Sequence, residues 1–133
     1  MKNLKTQIIF WLLVATFVYL LMQFFVPMIR NIMQGKQFLI PIAIFFILGI
    51  LLIIFTLREK ITGKPKIYLL LTGISAVGFF SGVILHNIVS ALLTMLSGRE
   101  FEEPIFFLLA IIIAPITFLI GMIGSIVLII KKK

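Results

Sequence analysis

Residues 67–96 form a run of thirty positions without a charged side chain. As a helix this run is about 45 Å long, against a hydrocarbon core of roughly 30 Å. Tilting within the usual range of about 0–40° does not absorb that excess. The helix must therefore bend around Gly78 and Gly82 or project beyond the bilayer. The same run carries the chain's one concentrated set of small and polar residues: Thr72, Gly73, Ser75, Gly78, Ser81, Gly82, His86, Asn87, Ser90 and Thr94. The remaining apolar segments are expected to wrap this helix.

Three further runs are long enough to cross a membrane. The chain is 62% hydrophobic and 12% charged, about half the charge content of a soluble domain. The expected fold is therefore all-α: a polytopic integral membrane protein with four transmembrane helices at about 8–29, 38–57, 67–96 and 105–130, in a single domain over residues 1–133. The first run exceeds a signal-peptide core of about 7–15 residues and no small-x-small cleavage site follows it, so it reads as a retained helix. After Pro27, Met28, Ile29, Ile32 and Met33 recur at helical spacing opposite Arg30, Asn31 and Gln34, which predicts a short amphipathic segment at the interface. This segment is expected to cover the surplus of the third helix. Pro104, just after Glu102 and Glu103, suits a helix start, where proline and acids favour the exposed N–H groups. Pro115 lies inside the fourth run and predicts a kink.

Four crossings place both termini and the middle loop on one side. That side holds nine Lys and Arg (Lys2, Lys5, Arg58, Lys60, Lys64, Lys66 and Lys131 to Lys133) and the other holds Arg30, Lys36 and Arg99. The positive-inside rule then places both termini in the cytoplasm. The formal charge of +8 resides at the ends of apolar runs and forms no basic face. It points to topology and contact with lipid headgroups, with the bilayer as partner and no nucleic acid. Richness in Ile, Phe and Lys suits an AT-rich bacterial genome, so the cell membrane of a bacterium is the expected location.

Helices in lipid pack through small residues. Gly78, Gly82, His86 and Ser90, with Ser75 in the same arc, follow one slowly winding stripe of the third helix. Gly121, Gly124 and Ser125 offer a close-packing surface on the fourth. Two readings follow. One is a packing seam between these helices, in an accessory protein that associates within the membrane with itself or a larger complex. The other is the wall of an outward-facing polar pocket in a small transporter or ligand-binding protein. Small size and a basic tail also leave a holin-like or immunity protein open.

His86 is the sole histidine, and ionisable groups in membrane helices are functional candidates. Counting about 20 residues of core from Ile67 puts it near the outer interface. Asn87 points about 100° away from it. Glu100, Glu102 or Glu103 could approach His86 from the loop, and nothing in the sequence selects among them. One histidine is a weak metal signal and excludes bis-histidine haem. The absence of cysteine removes iron–sulfur clusters and thiolate-bound zinc. No catalytic triad, G-x-S-x-G, H-E-x-x-H or phosphate-binding glycine loop is present, so neither enzyme activity, cofactor nor metal is expected. Small multidrug exporters rely on a glutamate inside the first helix, where this chain has only Gln23. The motifs of four-helix fluoride channels and glutathione-using membrane enzymes are likewise absent.

Overall fold

The computed structural model describes residues 3–26 and 39–132. The 28–33 segment, Lys2 and Lys133 lie outside the described residues. Four apolar helices fill the rest: α1 (Leu4–Phe25), α2 (Leu39–Arg58), α3 (Lys64–Ser97) and α4 (Ile105–Lys131). Each is long and apolar enough to cross a membrane, as the runs of hydrophobic residues require.

Local chemistry sets the boundaries. α1 starts at Leu4 rather than near residue 8 and ends at Phe25 rather than 29. Val26 is extended (φ −111°, ψ 103°), the conformation favoured before a proline. α3 starts three residues earlier than expected because Gly63 caps it and Pro65 occupies its first turn, where proline lacks no needed hydrogen bond. It ends at Gly98 in the left-handed region (φ 68°), whose N–H bonds back to Thr94, a glycine C-cap. α3 is one unbroken helix of 34 residues.

In α4 the expected disturbance at Pro115 takes the form of a π turn at Leu109–Ile113, directly before the α-helical stretch Ala114–Lys131. Proline removes one N–H donor and crowds the carbonyl four residues back. A wider turn relieves both within a continuous helix.

Successive helices run antiparallel. Thr6 of α1 donates to Glu59 beyond the end of α2, Phe46 of α2 stacks on Phe80 of α3, and Ser75 of α3 meets Thr117 of α4. α1 buries Thr6, Phe10, Leu13, Leu20 and Gln23, a spacing near 3.5 residues that suits left-handed helix packing. α2 buries Pro41, Phe45, Gly49, Leu52 and Thr56 and turns its other faces outward.

The two halves of the bundle differ. Near the termini, Phe10, Leu13, Leu52 and Leu69 are fully enclosed and helices approach closely through glycine. A Cβ on Gly49 would lie 2.9 Å from Ala76 Cβ, and one on Gly73 would lie 3.0 Å from the Gly49 carbonyl oxygen. Mid-bundle, Phe17, Phe45, Phe79 and Phe118, one ring from each helix, cluster with centroids 4.5–6.5 Å apart. Beyond that cluster α3 and α4 stay in contact at Gly82 and Ala110, and a cavity opens beside them.

Candidate functional site

Two sites occupy the half of the bundle remote from the termini, on different faces of α3.

The first joins α3 to the 98–104 loop. Glu103 is buried (5% exposed), and its backbone N–H donates to Ser90 Oγ at 3.1 Å. Its carboxylate accepts the N–H groups of Phe106 (3.0 Å) and Phe107 (3.2 Å), two donors that the first turn of a helix leaves unpaired. His86 Nδ1 lies 2.9 Å from the same carboxylate and 3.0 Å from the Glu103 carbonyl oxygen. Both neighbours are acceptors, so Nδ1 carries the hydrogen. The imidazole also packs on the ring of Phe107, centroids 5.2 Å apart. Burial alone would raise the Glu103 pKa, but the Phe106 N–H, His86 and the Phe107 N–H outweigh it and hold the carboxyl below the usual range. Thr94 accepts the Phe101 N–H at 3.1 Å. The surplus of α3 is thus bound by its own following loop. Of the three acids, Glu103 is the one that reaches His86. Among the described residues no three metal-binding side chains come together.

The second site is a cavity of about 630 Å³ between all four helices. The phenylalanine cluster forms its floor. Its walls include Leu20, Val83 and Ile84, with Ala114 and Pro115 just after the π turn. Ser75 and Asn87 are its polar lining residues. The Ser75 hydroxyl is engaged at 2.7 Å with Thr117 Oγ1, which itself donates to the Ile113 carbonyl at 2.9 Å. Asn87 is exposed at the rim.

The predicted site residues therefore divide. Ser75 and Asn87 line the cavity. His86 and Ser90 are drawn to Glu103, so the cavity is apolar instead of polar. Gly82 faces α4, where a Cβ would sit 2.9 Å from that of Ala110. A Cβ on Gly78 would meet nothing within 4 Å among the described residues. Gly121 and Gly124 do not pack on Gly78 and Gly82. The antiparallel register sets them against the first turns of α3, at Thr72 and the Tyr68 ring. Ser125 is buried, and its hydroxyl has no partner among the described residues. Thr117, Ala110 and Tyr68 are the partners that sequence reasoning missed. For Thr117 and Ala110 the signal was helical spacing from Gly121, one and three turns before it in α4, whereas Tyr68 lies one turn before Thr72 in α3.

No protein-family model matches this chain, and no curated protein or solved structure matches it.

Proposed function

We propose that this is a ligand-binding membrane protein that takes an apolar molecule into the cavity between its helices. The carrying observation is the cavity itself. Its volume of about 630 Å³ lies inside the range of small-molecule sites, about 300–1,000 Å³, in a bundle otherwise closely packed. The lining offers hydrocarbon contact and neither an acid–base pair nor a nucleophile with a base, so binding or transport is favoured over catalysis. With nine basic residues on the terminal side and three on the other, both termini face the cytoplasm and the cavity lies in the outer half of a bacterial cell membrane.

The test uses fluorescence in mild detergent. In a Trp11→Phe background, Phe79→Trp places an indole in the cavity and Ile88→Trp places one on the outward face of α3. Titration with an apolar naphthylamine probe should give saturable energy transfer, one site per chain, for the first alone. Identical unsaturating curves for both would sink the reading. For orientation, single cysteines at Gly63 and Ser97 are treated in intact cells with a membrane-impermeant thiol reagent. Labelling is expected at 97, and labelling at 63 alone would reverse the assignment.

A second reading, association with another copy or a larger membrane complex, rests on Gly78. A Cβ there would meet nothing within 4 Å among the described residues, which leaves room for a helix from outside the chain. Gly78→Leu should then lower the oligomeric mass in native membrane particles. An unchanged monomeric mass in both proteins would remove it.

A further inference from the structure

We infer that the cavity's occupant is one acyl chain of a phospholipid from the leaflet that surrounds it, entering sideways between α1 and α4. This rests on the ligand-binding reading above and names the ligand class.

Depth is the first argument. The cavity follows α3 from Ser75 to Asn87, twelve residues or about 18 Å of helix. Half of a hydrocarbon core is about 15 Å. The cavity is therefore as deep as one leaflet, with Ser75 at its deep end and the mid-bundle phenylalanines lining that end. Asn87 stands at the opposite end, where ester and headgroup oxygens begin. A carboxamide there can donate to an ester carbonyl, while the walls below it are Phe, Leu, Ile, Val, Ala and Pro.

Access is the second. α1 packs on α2, α2 on α3 and α3 on α4, and α1 touches α4 at Phe17 and Phe118. On that boundary Leu21, Ile111 and Leu119 line the cavity and are also exposed, at 40%, 48% and 39%. The opening therefore faces lipid tails. A chain already dissolved in the bilayer reaches the cavity without crossing water.

Chemistry is the third. Ser75 is satisfied by Thr117, so among the described residues the deep end presents no free polar group to a ligand. A tail that is apolar along its whole buried length fits, and a ligand with polar groups at both ends does not.

The full-length protein, purified in mild detergent with its co-purifying lipid, is examined by native mass spectrometry, and the retained lipid is identified after release. One phospholipid per chain should survive activation that strips the others. Ala114→Phe, which fills the cavity beside its floor, should lower that occupancy at least about tenfold, the effect of excluding two or so chain methylenes. If Ala114→Phe does not fold by circular dichroism, Val83→Phe serves in its place. Retained phospholipid that is indifferent to the filling variant is bound elsewhere and overturns the inference. A free fatty acid or other hydrocarbon in its place overturns the phospholipid as source. No retained lipid, with the probe titration still saturable, overturns the acyl chain while the ligand-binding reading stands. Failure of the probe titration removes both.

Discussion

His86 and Glu103 are seventeen positions apart and meet at 2.9 Å, with the Glu103 carboxylate also capping the start of α4. One carboxylate thus holds α3, the loop and α4 together. Its pKa lies below the ordinary glutamate value. A carboxyl depressed in the folded state contributes its stabilisation fully above the unfolded value and loses it as pH falls through the folded value. Hydrogen exchange at the Phe106 and Phe107 amides, corrected for intrinsic rate, should therefore be flat at pH values above the ordinary glutamate value, about 4.3, and accelerate as pH falls below it. Glu103→Gln should show weakened protection at neutral pH and lose the acid-dependent step. An unchanged step in that variant would mean that another group controls it.

Gly121 packs where no side chain fits. A Cβ there would lie 2.5 Å from Thr72 Oγ1 and 2.7 Å from Thr72 N, and the backbone atom cannot rotate away. Gly121→Ala should cost about 1–3 kcal/mol, the usual price of overpacking. Gly78→Ala meets nothing within 4 Å among the described residues and should be neutral or stabilising by up to about 1 kcal/mol through helix propensity. Thermal unfolding in detergent ranks the two. The reverse order would mean that α3 and α4 pair in a different register.

That contrast marks what the sequence made legible. The four helices are plain because lipid leaves the backbone no alternative over runs of some 20 apolar residues. Gly121 and Gly124 were recognisable as a packing surface by their small size. Their partners were not, because pairing depends on how the loops set helix depth, which no local spacing encodes. Gly49 sits in a helix of uniform hydrophobicity, so its close approach to Gly73 left no trace. Glu100, Glu102 and Glu103 are chemically alike, and only the geometry of the α4 start selects the third. The cavity was hidden for a related reason. Its lining of Phe, Ile and Leu has the same composition as a lipid-facing surface, and a void leaves no residue signature.

Ser75 and Thr117 form the hydroxyl contact between α3 and α4 at 2.7 Å. Interhelical hydrogen bonds in membranes average about 0.6 kcal/mol by double-mutant cycle. Thr117 keeps its bond to the Ile113 carbonyl when Ser75 is removed. Ser75→Ala, Thr117→Ala and the double variant should therefore give a coupling near about 0.6 kcal/mol. A coupling indistinguishable from zero would mean that the two hydroxyls do not bond.

α2 ends with a residue in an unfavourable conformation. Lys60 has φ 53°, while Lys60 N–H bonds to Leu57 O (3.3 Å) and Ile61 N–H to Thr56 O (3.4 Å). This is the Schellman pattern, whose left-handed position ordinarily takes glycine. An L side chain there costs about 1–2 kcal/mol, and glycine avoids that while adding about 0.4–1 kcal/mol of unfolded-state entropy. Lys60→Gly should therefore stabilise by about 0.5–1 kcal/mol, seen as a higher melting temperature. It also leaves eight basic residues on the terminal side against three on the other, so cysteine labelling at Gly63 and Ser97 should be unchanged. A destabilised variant with normal orientation would show that the Lys60 side chain makes a compensating contact, and a reversed one would show that this single charge governs insertion.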